Sequence, residues 1–152
     1  MVYFVVKTLF VAVFLICVKA DSEEDLKQVF VDVLVKCAEE FPPTASEIEM
    51  LKDKKLGESE NVKCMFACTY KKTGMMNEKG ELSMEGIADL GKKYYADDPE
   101  KTKQILKYAE ACKSVNDQAV SDGEKGCERA ALLFKCTIEK AAEVYNLFTT
   151  HT

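Results

Sequence analysis

The chain has 152 residues, 47% of them hydrophobic and 31% charged, and carries a formal net charge of −5. That length and balance suit one domain with a real core. An acidic chain with no basic stripe excludes nucleic acid and anionic lipid surfaces as natural partners.

The apolar run TLFVAVFLICV, Thr8 to Val18, follows Lys7, and Lys19-Ala20 gives way to the acidic stretch Asp21-Ser22-Glu23-Glu24-Asp25. This is the pattern of a secretory signal peptide, residues 1–20, cut between Ala20 and Asp21. A membrane-spanning helix takes roughly 20 apolar residues, so this run is too short for stable membrane insertion. Its loss leaves one domain, residues 21–152, two charges more negative than −5 because Lys7 and Lys19 leave with it. Cys17 leaves too, so seven cysteines become an even six. A secreted chain sits in an oxidising compartment, where six cysteines read as three disulfides rather than a metal site.

Periodicity predicts an all-α fold of about six helices. In the first, Leu26, Val29, Phe30, Val33, Leu34, Cys37, Ala38 and Phe41 recur on one face. Ser22 is a candidate cap, and Pro42-Pro43 ends the helix. The second starts at Thr44, with Glu47 completing a capping box, Ile48 and Leu51 on one face, and Gly57 as the expected stop. The third runs from about Asn61 to Lys72, with Gly74 after its end. Met75 to Gly80 form a turn in which Gly80 is free to take a positive φ. Ser83 opens the fourth helix, bearing Ile87, Leu90, Gly91 and Tyr94. Asp98-Pro99 opens the fifth, a capping acid followed by proline at the first helical position. It carries Ile105, Leu106, Tyr108, Ala109 and Cys112 and runs into the polar loop SVNDQAVSDG. The sixth spans roughly Gly123 to Tyr145, and a short tail closes the chain. No strand signal is present.

The six cysteines are Cys37, Cys64, Cys68, Cys112, Cys127 and Cys136, separated by 26, 3, 43, 14 and 8 residues. Cys64 and Cys68 stand one turn apart on one helix face, placed to reach other helices rather than each other. Cys127 and Cys136 lie on opposite sides of the sixth helix, so they tie to different partners. Six cysteines allow fifteen pairings, and these grounds narrow the field without choosing one.

The order C-x26-C-x3-C-x43-C-x14-C-x8-C resembles the six-cysteine signature of the insect odorant-binding proteins, the pheromone-binding and general odorant-binding family. The x3 and x8 gaps are the most diagnostic, and GMMNEKGELSMEGI between the third and fourth cysteines fits as well. The resemblance spans essentially all of residues 21–152. It implies three interlocked disulfides, Cys37–Cys68, Cys64–Cys127 and Cys112–Cys136, around an internal hydrophobic cavity. It also implies a secreted carrier that takes odorants or pheromones through aqueous lymph to chemosensory receptors. The same fold could carry a non-olfactory ligand in saliva, seminal fluid or haemolymph. A third reading is a secreted effector or structural protein with a filled core.

No catalytic constellation is visible, and no enzyme activity, cofactor or metal is expected. The only histidine is His151, so histidine triads and zinc sites have nothing to work with. The positive signal is five methionines, five phenylalanines and five tyrosines after the leader. Methionine adapts to irregular surfaces, and tyrosine offers an apolar body with one polar tip. Helical phase selects Leu51, Met65, Met75, Met76, Ile87, Leu90, Tyr94, Leu106, Tyr108, Leu133, Phe134 and Phe148 as lining for a small hydrophobic ligand. Phe30 and Leu34 of the first helix are assigned to plain packing. Leu147 and Phe148 are too apolar for a solvated end, so the tail is expected to fold back over the pocket mouth. His151 would titrate near roughly 6.5, although an exposed terminal histidine is ordinarily inert. The sequence favours neither monomer nor homodimer.

Overall fold

The computed structural model describes residues 24–149, with side chains described as far as residue 141. The expected signal peptide, Cys17, the Ser22 cap and His151 therefore lie outside the described residues, as do the side chains of Leu147 and Phe148. The described chain is all-α: α1 (24–40), α2 (Ala45–Lys52), α3 (Glu60–Lys72), α4 (Met84–Tyr94), α5 (Pro99–Glu110) and α6 (Cys127–Thr149). Its only strand-like feature among the described residues is an isolated antiparallel bridge between Met76 and Leu82.

Helix starts follow the local chemistry. Thr44 and Glu47 form a complete capping box at α2, Ser83 accepts the Gly86 N–H at 3.0 Å, and Asp98 accepts that of Lys101 at 3.0 Å with Pro99 behind it. Each such oxygen satisfies an N–H that the helix itself cannot. Ser59 does the same for Val62 at 3.3 Å, so α3 begins at Glu60, one residue before the expected start.

Helix ends depart further from expectation. α2 stops at Lys52, and Lys54, not Gly57, turns the chain with a φ of 58°. The Lys55 N–H then reaches the Met50 carbonyl at 2.9 Å and closes the helix end. Gly57 is needed for space: a Cβ there would lie 2.7 Å from the Glu47 carboxylate. Glu47 is the buried residue of α2, whereas Ile48, expected to share the inner face with Leu51, is exposed. The reason is that the Glu47 carboxylate receives hydrogen bonds from Thr44 and from Ser59, joining the starts of α2 and α3.

Two glycines fix the start of α6. Gly80 and Gly126 both hold positive φ, at 74° and 75°, and a Cβ on either would lie 2.9 Å from the Cα of the other. Left-handed Gly126 delays α6 from the expected Gly123 to Cys127. At its far end α6 continues through Leu147 and Phe148 to Thr149, so the separate tail expected from Asn146 is instead the last turn of the helix. The expected polar loop between α5 and α6 contains a short 3-10 helix, Lys113–Asp117, with Val115 buried.

α3 packs along α6, and α4 packs on α5 where the Thr102 side chain fills the space that a Cβ on Gly91 would take. One continuous core joins them, with Val62, Met65 and Leu133 almost completely buried. α1 adds Phe30, Val33, Leu34, Ala38 and Phe41 to that core through the predicted face, while Val29 lies at its exposed margin.

A buried cation on the first turn of α6 ties two connecting segments to that helix. The Arg129 guanidinium donates to the carbonyls of Val115 at 3.2 Å, Gly80 at 3.3 Å and Gln118 at 3.2 Å. Asn116 pairs with both backbone groups of Leu82, accepting at 2.8 Å and donating at 3.0 Å.

Three disulfides cross this frame. Cys37–Cys68 joins α1 to α3, Cys64–Cys127 joins α3 to the first residue of α6, and Cys112–Cys136 joins the end of α5 to the middle of α6. Each links a different pair of segments, and the Cys64–Cys127 Cα atoms are only 4.4 Å apart.

Cys64–Cys127 spans 63 residues, the longest separation of the three. Chain-entropy reasoning then gives it the largest effect, about 4 kcal/mol. The pair Cys64→Ser with Cys127→Ser is expected to lower the unfolding free energy in urea by about that amount, and more than Cys112→Ser with Cys136→Ser does.

Hydrogen bonds from Ser59 and Thr44 hold the Glu47 carboxyl below its ordinary value of 4.5. A depressed carboxylate contributes stability that is present above its unfolded pKa and is lost as pH falls through its folded value. Glu47→Gln is therefore expected to lower the urea midpoint at pH 7, with the gap to the native chain closing in acid. A gap that stays constant down to acid pH would remove the ionic role.

Candidate functional site

The interior is built around α3, whose Met65, Phe66, Thr69 and Tyr70 are all buried. Thr69 turns its hydroxyl back to the Met65 carbonyl at 2.8 Å, so it presents an apolar face despite its type. Four rings run through the core: Phe30 lies 6.3 Å from Tyr70, Tyr70 lies 5.8 Å from Phe66, and Phe66 lies 4.8 Å from Phe134. All three pairs are tilted, the arrangement that ring quadrupoles favour.

The candidate lining residues fall into two groups. Met65, Met76, Ile87 and Leu133 are buried in the common core. Leu51, Met75, Leu90, Tyr94, Leu106, Tyr108 and Phe134 are half-buried, and the side chain of Phe148 lies outside the described residues. Leu51, Met75, Leu106 and Phe134 pack against the buried set. Phe30, assigned to packing by sequence, takes part in the aromatic row.

The two polar tips in this region differ. The Tyr108 hydroxyl donates to the Thr137 carbonyl of α6, which ties α5 to α6 and occupies its proton. Burial raises the Tyr108 phenol, opposed by the Ala141 N–H. Tyr70 is raised further, well above the ordinary phenol range, by deeper burial and by the neighbouring Tyr108 phenol. Tyr94 faces outward enough for the Lys93 ammonium to lie 5.1 Å from its ring centre.

A cleft of about 650 Å³ opens on the outer side of α6. Its walls are the α2–α3 connection, the segment 118–120 before α6, and α6 itself. Phe134 is the one candidate residue that borders it, with its ring against Phe66 of the core. Ala131, Leu132, Lys135, Ile138 and Glu139 share one face of α6 at helical spacing, and that second stripe is the signal by which sequence could have marked the cleft.

Among the described residues no group of three His, Cys, Asp or Glu side chains is placed to hold a metal ion, and no helix is long and apolar enough to cross a membrane.

An all-α domain strapped by three crossing disulfides over an apolar, aromatic core is a disulfide-braced helical scaffold. Residues 19–140 match the PBP/GOBP family, and the chain belongs to it. General odorant-binding protein 19d of Drosophila melanogaster is 27% identical over 140 residues, covering 90% of this chain and 90% of the relative. General odorant-binding protein 28a of the same insect is 24% identical over 78% of this chain and 80% of its own length. The solved structure of Drosophila odorant-binding protein OBP28a superposes with a TM-score of 0.56 at 23% identity, over 80% of this chain and 96% of that one. A pheromone-binding protein of the cockroach Leucophaea maderae, solved with the fluorescent reporter ANS, gives 0.53 at 17% identity over 74% and 92%. At these identities the structures are alike in fold.

Burial opposes the charged phenolate of Tyr70, so the folded chain keeps that proton beyond the ordinary value of 10.0. A raised value contributes stability that is present below the unfolded pKa and is lost as pH rises through the folded one. An ultraviolet titration of the native chain is expected to show a late-ionising tyrosine that Tyr70→Phe removes. Ionisation of every tyrosine near pH 10 in the folded chain would contradict the burial.

Proposed function

We propose that the chain is a secreted carrier, not an enzyme, that reversibly encloses a small hydrophobic molecule in a helical domain of residues 21–152. Residues 1–20 are the signal peptide that exports it. The ligand class is odorants or pheromones, moved through aqueous lymph and released at membrane receptors of chemosensory cells. The observation that carries this reading is membership of the PBP/GOBP family over residues 19–140. An interior lined by methionine, leucine and aromatic side chains supports it.

The mechanism is burial without covalent chemistry. Removing apolar ligand surface from water contributes about 25 cal/mol per Å², enough for roughly micromolar binding once the entropic costs are met. Met65, Met75 and Met76 supply soft, adaptable surface. Ile87, Leu90, Leu106 and Leu133 supply walls, Leu51 and Phe134 close the α2 and α6 sides, and Phe148 completes the proposed set. Tyr94 and Tyr108 supply polar tips, the Tyr108 proton being held by the Thr137 carbonyl. The disulfides keep the helices in place when the interior opens to admit a guest.

The test uses the neutral probe N-phenyl-1-naphthylamine. The native chain is expected to bind it with a Kd of about 1–10 μM, and Leu90→Trp, which fills the half-buried α4 wall, to weaken it by about tenfold. A folded, disulfide-bonded chain that leaves the probe dark at all concentrations would favour a filled core and sink the carrier reading.

A further inference from the structure

The outer cleft has a composition that the interior lacks. Leu56, Val120, Leu132, Phe134 and Ile138 are half-buried and apolar, and they form its floor. Its rim carries four lysines, Lys54, Lys55, Lys63 and Lys135, and three glutamates, Glu58, Glu128 and Glu139. The charges are not equally available. Glu58 pairs with Lys63 at 3.2 Å. Glu128 is held by Ser121, whose N–H and hydroxyl both bond to it and keep its carboxyl below the ordinary value. Among the described residues no carboxylate lies within ion-pairing distance of Lys54, Lys55 or Lys135. With the Glu58–Lys63 pair set aside, three unpaired ammonium groups face two carboxylates, Glu128 and Glu139, which leaves this rim one positive charge in excess on a chain of net charge −5.

The backbone adds a second observation at the same place. Lys54 is the only non-glycine with positive φ among the described residues. A lysine there meets steric strain that glycine would avoid. The αL turn that ends α2 therefore places two consecutive lysines, Lys54 and Lys55, on the cleft rim where glycine would have closed the helix with less strain.

We propose that this cleft is a second binding site, distinct from the interior, for a free amphiphile with a single anionic head and an apolar tail, in the class of long-chain carboxylates. The tail lies on Leu132, Ile138 and Val120, and the carboxylate sits among Lys54, Lys55 and Lys135. A volume of about 650 Å³ is ample for such a chain. Exposed ammonium groups confer selectivity for the charged head rather than most of the affinity, which comes from the tail. A neutral alcohol of the same length therefore loses the preference for the cleft but keeps its affinity for the interior. The site stands without the carrier reading, because none of its floor residues other than Phe134 is assigned to the interior.

The test is a titration of the ¹⁵N-labelled, disulfide-bonded chain with sodium laurate below its micellar concentration, read by amide chemical shifts. Saturable shifts are expected at Leu56, Val120, Leu132 and Ile138. In a variant carrying Lys54→Gln, Lys55→Gln and Lys135→Gln, the apparent Kd at those amides should weaken by about tenfold. Dodecanol should shift the same amides less than twofold differently in the two proteins. The three substituted side chains are exposed, so the variant is expected to retain its fold, which its undisturbed spectrum would show. Cleft amides that fail to move, or that titrate identically in both proteins, overturn the proposal. Shifts at Met65, Ile87 and Leu133 report the interior separately: their absence with cleft shifts intact would count against the carrier and leave this site standing.

Discussion

The Arg129 guanidinium is buried, and a buried charge is costly unless each of its polar atoms finds a hydrogen-bond partner. Here three of its five N–H donors end on carbonyls of two segments remote from each other in sequence, Gly80 after α3 and Val115 and Gln118 after α5. The cation is satisfied only if the Met76–Leu82 turn, the 3-10 helix after α5 and the first turn of α6 all arrive together. Asn116 reinforces this by holding Leu82 through both of its backbone groups. The salt bridge of Lys125 to Glu60 then draws the segment before α6 against the start of α3.

This polar knot and the disulfides divide the labour. The knot sets where α6 begins, and Cys64–Cys127 secures that beginning to α3. Cys37–Cys68 and Cys112–Cys136 then hold α1 and α5 to the same two helices. α3 and α6 are thus the fixed pair of the domain, and the aromatic row from Phe30 to Phe134 crosses between them. Both the interior and the outer cleft share α6 as a wall.

What sequence alone could show depended on the range of the interaction involved. Caps at Thr44, Ser83 and Asp98 act within three residues, so they were legible as written. The face of α1 was legible because helical periodicity repeats. The family's cysteine spacing led to the three pairings found, where helix geometry had narrowed the fifteen possibilities without choosing one. The end of α2 was not legible, since a lysine in the left-handed region defies the local preference for glycine. Burial of Glu47 in place of Ile48 depended on Ser59, which lies beyond the helix it affects. The cleft was obscured for a similar reason. Its floor combines α6 with two connecting segments that periodicity treats as loops, and most of its residues lie off the inner helix faces that helical phase selects.

Gly80 and Gly126 carry a consequence for how such a chain can change. Their Cα atoms face each other so closely that a Cβ on either meets the other at 2.9 Å. In an ordinary core contact, a larger residue on one side can be balanced by a smaller one opposite. Here both partners are already the smallest residue, and both also hold a backbone conformation that side chains resist. Neither position has a compensating substitution at the other. The turn after α3 and the approach to α6 can therefore drift in sequence only around this point, not through it.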